Sequence, residues 1–314
     1  MAGVDGGFGV SEFGYTGKPH QIWLSFEGAH SDQHLLNLYD FSRALQGFER
    51  SLALTTHFVL HDEVITQVTA LKGAKIYCSP PVAGSFNIPA YITAFSAATF
   101  AIGTLKNDNP IGHLIYSVYD YAVHEATGQP VNYDESLRVT YERAIAEGTT
   151  GFVMPKKERL DSLVEKIEPS VKDLHRPITE SHSAETALIT ERNEPDPKIP
   201  DLLLNQRTFD GLRKRERDDK ITSVPGRISS FNMNTFNGRF VTFADKRPVP
   251  FKIAPAGRTE PGMKLIAQSL ARNIADPKSD DSVVVFDVRR EFSMTGRTTS
   301  YSVVKIREYN PLEF

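Results

Sequence analysis

The sequence predicts an α+β protein in two parts: an N-terminal α+β domain with a helical layer, then a small five-stranded, OB-like β-barrel. Three observations predict it. The stretches 227–235, 238–244, 248–254, 282–292 and 298–308 are strand-like, and 263–274 is helical. Three strands, a helix and two strands is the order of an OB-type barrel. Upstream, one alternating strand, a long helical stripe and a short β-rich run describe a sheet with one face covered by a helix. A chain of 314 residues is also long enough for two cores.

The elements follow in order. In 20–27, Ile22, Leu24 and Phe26 share one face by the two-residue period. Gly28 and Ser31 read as a turn, with Ser31 or Asp32 as the cap of the next helix. That helix carries Leu38, Phe41, Leu45, Phe48 and Leu52 at spacings of three and four, one apolar stripe. Runs 63–71, 74–79 and 84–93 are rich in strand formers, punctuated by Pro80-Pro81 and Gly84. Helical patterns then cover 92–105, 111–126, 134–147 and 156–173. Charge and the prolines Pro195, Pro197 and Pro200 mark a connector. The expected division is a flexible tail at 1–17, an α+β domain at 18–178, a charged linker at 179–220 and the barrel at 221–310.

Composition narrows the function classes. The chain has one cysteine, Cys78, so it forms no intrachain disulfide, which points to a reducing, cytoplasmic location. Within a strand-like run that thiol is expected in the core. The start lacks the basic n-region of a secretory signal. The uncharged stretch within 76–105 has a most apolar part, 90–105, that is too short to span a bilayer, so a buried helix is expected and no membrane span. The net charge of −3 is unevenly spread: residues 1–150 carry −7, 151–220 carry −1 and 221–314 carry +5. An anionic partner would therefore meet the barrel.

No nucleophile elbow or nuclease signature stands in an appropriate context, no catalytic residue is assigned and no cofactor is expected. Single-stranded nucleic acid is held by aromatic rings on which bases stack and by cations that follow the phosphates. The barrel offers Arg227, Arg239, Arg247, Lys252, Arg289 and Arg290, with Phe231 as a ring and Phe236, Phe240 and Phe243 as further rings, although simple barrel filling also explains the rings. Ser229, Phe231 and Met233 are expected on one face of their strand, with Ile228 and Ser230 on the other. Asp287 and Glu291 are expected to share a face with Arg289 as an ion-pair ladder. A rival reading is a metal-dependent enzyme. His57 and His61 are four apart with Asp62 and Glu63 next to them, as are His30 and His34, and on a helix this spacing puts two rings on one face. Asp120 and His124 form a similar pair, a candidate acid–base dyad or a simple hydrogen bond on a helix.

Three stretches, "FEGAHSDQHLLNLYDFSRALQGFERSL", "EPSVKDLHRPI" and "GRISSFNMNTFNGRFVTFADKRPVPFKI", resemble together a bacterial family of uncharacterised proteins with an α+β front half and a C-terminal five-stranded barrel. The resemblance covers most of 20–308. It implies the two-part architecture and a prokaryotic cytosolic setting, with a place among mobile-element or antiviral genes, and it carries no catalytic residues to transfer. The resulting expectation is a non-enzymatic binding or adaptor protein. Its front domain makes protein contacts or self-assembles, and its barrel contacts nucleic acid or a partner subunit. A purely structural assembly subunit is the third expectation.

Overall fold

Alternation in strand β1 (His20–Glu27) buries Ile22, Leu24 and Phe26 completely, and the strand becomes the centre of a five-stranded sheet. The computed structural model describes residues 19–79, 86–94, 110–129, 133–146, 154–191, 202–277 and 279–313. The expected tail at 1–17 lies outside the described residues. β1 is joined by β2 (Ala74–Cys78), β3 (Phe86–Ala94), β4 (Thr186–Glu191) and β5 (Leu202–Leu204) in the order β2-β3-β1-β4-β5, every pair antiparallel.

Three expectations change here. The segment read as a linker supplies β4 and β5, the strands on one side of β1. In β4 the apolar Ala187 and Ile189 are fully buried, and this short run was hidden by its charged and proline-rich flanks. The expected helix at 92–105 opens as strand instead, because β3 continues through Ala94, and residues 95–105 lie outside the described residues. In place of a strand at 63–71 there is irregular chain with one 3-10 turn, Val68–Ala70.

Helix α1 (Leu38–His61) begins at Asn37, whose side chain accepts from the Asp40 amide at 3.1 Å. Ser31 and Asp32 do not cap it; they sit in a separate 3-10 turn, where Asp32 accepts from the Gly28 amide. Leu38, placed on the apolar stripe by spacing, is 80% exposed, Phe41 and Leu45 are half-buried, and Phe48 and Leu52 are buried. Helices α2 (Pro110–Thr127), α3 (Tyr133–Ala146), α4 (Lys157–Leu174), α5 (Arg176–Thr179) and α6 (Gln206–Arg213) follow. Ser51 of α1 lies 3.2 Å from the Tyr119 hydroxyl of α2, and the Tyr116 hydroxyl donates to the Ile189 carbonyl of β4 at 3.1 Å. Gly47 lets α1 approach the second half of α4: a Cβ there would sit 2.5 Å from the Ser170 carbonyl oxygen. Cys78 lies exposed on edge strand β2, not in the core.

The C-terminal part is a closed barrel. After a short strand β6 (Glu216–Arg217) come β7 (Thr222–Asn232), β8 (Asn237–Thr242), β9 (Pro248–Ile253), helix α7 (Glu260–Ala275), β10 (Val283–Phe292) and β11 (Thr298–Glu308). The ring runs β7-β8-β9-β11-β10 and back to β7, with β9 and β11 parallel. This is the strand order of an OB barrel. Phe240 and Phe286 stack inside with centroids 4.2 Å apart, and Ile266 of α7 joins the same core. A bulge between Ile228 and Ser230 shifts the alternation of β7, so Ile228 and Phe231 both turn toward the core instead of facing opposite ways. A second bulge, at Asp287/Val288, goes with a pairing of Asp287 to Arg307 in place of the expected ladder with Arg289.

By compactness the chain divides into Met1–Pro155 with Lys166–Asp210, and Lys156–Glu165 with Gly211–Phe314. The first half of α4 thus belongs with the barrel, and its second half with the sheet.

Candidate functional site

In barrels of this order, ligands lie on the face of the second and third strands and on the loops beside it. Here those strands are β8 and β9. Phe240, Val249, Phe251 and Ile253 point inward, which leaves Asn237, Arg239, Val241, Pro248, Pro250 and Lys252 outside. Arg239 stands opposite Pro250, and Asn237 opposite Lys252.

The turn between the two strands fixes a second arginine. The Thr242 hydroxyl bonds Asp245 at 2.6 Å, the Asp245 amide donates back to the Thr242 oxygen at 2.8 Å, and Tyr301 donates its hydroxyl to Asp245. Burial, together with the Asp245 carboxylate, pushes the Tyr301 hydroxyl pKa well up, so Tyr301 stays a donor. Lys246 takes a left-handed conformation with φ of 52°, and Arg247 follows at the start of β9, only 3% exposed.

Both arginines hold one carboxylate. Glu165, on the first half of α4, places Oε1 2.6 Å from Arg239 and Oε2 3.0 Å from Arg247. Each oxygen thus has its own guanidinium donor, the charge-assisted geometry that planar anions favour. Arg247 also donates to the Thr298 carbonyl and has Asp161 Oδ2 at 4.0 Å; Arg239 donates to the Pro248 carbonyl at 3.1 Å. Burial holds the Asp161 carboxyl above its ordinary range, against the pull of Lys157, Arg247 and Arg297.

Of the other expected anion-binding residues, Lys252 alone shares this face. Arg227 is bound to Asp280 at 3.1 Å and to Ser282 at 2.9 Å, near the start of β10. Arg290 pairs with Asp218 at 2.8 Å, and Arg289 lies half-buried on the same strand, β10. Lys252 is exposed on β9. Phe231 is half-buried and stacked on Phe251, centroids 6.0 Å apart, Phe240 fills the core, and Phe236 lies under Arg258 at 4.2 Å. Arg227, Arg239, Arg247 and Arg290 are thus each engaged by a carboxylate, Phe240 belongs to the core, and Phe243 is 42% exposed with the Arg227 guanidinium 5.5 Å from its ring centre. Spacing in sequence gave no way to see the neutralising acids.

In the first unit, the histidine pair of the rival reading is used structurally. His57 Nδ1 accepts from the Lys72 amide at 3.2 Å, and His61 Nε2 lies 3.0 Å from the Lys72 carbonyl, so both rings hold the backbone of one residue after α1. Burial and the neighbouring His61 lower the His57 pKa. Asp62 takes the left-handed C-cap of α1. His30 and His34 lie in or beside the 3-10 turn before α1, not on one helix face. Asp120 and His124 bond to each other within α2 at 3.2 Å; burial pushes the His124 pKa down, but the bonds to Asp120 outweigh it and raise it. Among the described residues no group of three His, Cys, Asp or Glu side chains is placed to hold a metal ion. No helix among them is long and apolar enough to cross a membrane.

One cluster was beyond sequence reasoning. Glu191 Oε1, at the end of β4, lies 2.9 Å from His20 Nε2 on β1 and 2.7 Å from His113 Nδ1 on α2. Burial alone would raise the Glu191 pKa, but the bonds from His113 and His20 hold it below the usual range. His20 and Glu191 are almost fully enclosed, so this cluster ties β1, β4 and α2 together in the interior. Its members lie far apart in the chain, and only the register of β1 on β4 brings them together.

Comparison with known proteins adds little chemistry. No protein among those with curated functions matches the chain. Among solved structures, a mutant of the ferredoxin protease FusC in complex with Arabidopsis ferredoxin is similar at 10% identity with a TM-score of 0.18. That alignment covers 76% of this chain and 29% of the other, and so loose a likeness carries no argument. Residues 220–307, the barrel, match a family of unknown function (DUF7947). Residues 22–213 match a domain of unknown function (DUF7946), and the chain belongs to that family.

Proposed function

We propose that this chain is a non-enzymatic binding protein, an adaptor whose barrel engages an acidic segment of a protein partner on the β8–β9 face. One observation carries the reading: Arg239 stands on the face that such barrels use for ligands, with Arg247 enclosed beneath it, and together they grip both oxygens of a carboxylate. Protein is favoured over single-stranded nucleic acid because the outward side chains of β8 and β9 include no aromatic ring for bases to stack on. Engagement of Arg227 and Arg290 by Asp280 and Asp218 supports the same preference. The single cysteine, Cys78, supports a reducing, cytoplasmic setting.

The test is a titration of the full chain at low salt with an acidic helical peptide, up to about 1 mM, beside an oligothymidylate of about 16 nucleotides. Peptide binding that weakens about tenfold in Arg239→Gln is expected, a loss of the size of one charge-assisted hydrogen bond. Binding of the oligonucleotide in an Arg239-dependent manner, with none of the peptide, refutes the reading.

A further inference from the structure

The acid that fills the β8–β9 face belongs to a helix with a weak point. Pro169 lies inside α4, and a proline has no amide hydrogen to give to the carbonyl four residues earlier. That carbonyl is Glu165, the residue that holds Arg239 and Arg247. It is also the last residue of the stretch Lys156–Glu165 that clusters with the barrel, while Lys166 onward clusters with the sheet. The helix ladder is therefore interrupted at the point where the chain passes from one compact unit to the other. Asp161 and Glu165 stand one turn apart, so both carboxylates lie on one side of the helix, and both face Arg247.

We propose that the β8–β9 face is a receptor for an acidic helix with two carboxylates spaced four residues apart, and that the first half of α4 is its resident occupant, exchanged for a partner helix of the same chemistry. This rests on the proposed function and adds the partner's chemistry and a control on its access. The intramolecular helix competes at an effective concentration in the millimolar range, so partner binding stays weak until the resident acids are loosened. Arg239, one-third exposed, is the first point of attack, and Arg247, enclosed beneath it, exchanges last.

The experiment uses the full chain and a peptide copying residues 155–172, with binding followed by fluorescence anisotropy and folding checked by thermal melting. Glu165→Gln in the protein weakens the resident contact, and the peptide is expected to bind about tenfold more tightly than to the unaltered chain. Pro169→Ala, at an exposed position, stiffens the helix and is expected to weaken peptide binding severalfold. A peptide that itself carries Glu165→Gln is expected to bind neither protein. If Glu165→Gln binds no better than the unaltered chain while Arg239→Gln still weakens binding, the exchange is overturned and the adaptor reading stands. If no variant binds the peptide, both are overturned. Should Glu165→Gln fail to fold, the proline variant decides, and an unchanged affinity there overturns the exchange.

Discussion

His175, at the end of α4, controls how the sheet unit responds to acid. Its ring is fully enclosed: Nδ1 donates to the Val171 carbonyl at 2.7 Å, and Nε2 accepts from the Thr208 hydroxyl at 2.8 Å. With both nitrogens so engaged the ring is neutral, and burial lowers its pKa to about 4, with the Val171 carbonyl only partly opposing. In the unfolded chain the ring takes up a proton near 6.5. Between these values the unfolded state binds more protons than the folded state, so stability is full above pH 6.5 and is lost as pH falls toward 4. The gap, at about 1.4 kcal/mol per pH unit, is worth about 3 kcal/mol. Trp23, the single tryptophan, sits on β1 between Pro89 and Thr190, so its fluorescence reports on this unit alone. Urea unfolding followed at Trp23 from pH 7 to pH 4 should show that loss in the unaltered chain. Most of it should be absent in His175→Met, which loses about 1–3 kcal/mol at pH 7 through the two hydrogen bonds given up at Val171 and Thr208. His57, also lowered, adds loss in the same direction, whereas His124, raised, opposes it; both are common to the two proteins. Identical pH profiles for variant and parent would refute the reasoning.

Three other outcomes are expected. Phe240→Ala opens a cavity against Phe286 and Phe251 and should cost about 3–5 kcal/mol, read in the circular-dichroism melt of the barrel with the Trp23 transition unmoved. Gly112→Ala would put a Cβ 2.2 Å from His20 Nδ1, so it should lower the Trp23-detected stability by about 1–3 kcal/mol. Arg247→Met should cost about 1–3 kcal/mol in urea unfolding, because it leaves the Thr298 carbonyl without its donor and half of Glu165 unpaired.

The barrel was legible because its strands carry the two-residue period and its helix interrupts them at one place; the bounds 298–308 and 283–292 differ by a residue at most from expectation. The bulge at Ile228/Ser230 was not legible, since nothing in the local pattern marks an extra residue, and it turned Phe231 inward. The sheet was read only in part. β4 and β5 are short, and Leu202–Leu204 sits beside a charged helix, so composition masked them. The cationic residues were found as a set, but their destinations depend on acids remote in sequence: Glu165 for Arg239 and Arg247, Asp280 for Arg227, Asp218 for Arg290. A list of positive charges says nothing of which are already neutralised.

The parallel pairing of β11 with β9 has a consequence for biosynthesis. Of the five ring strands β11 is the last to be translated, yet it is the piece that joins β9 to β10. Until β11 has emerged, β7, β8, β9 and β10 form an open sheet with two unsatisfied borders. A nascent chain halted before β11 emerges would display a sticky half-made cylinder, with the borders of β9 and β10 for a chaperone to cover.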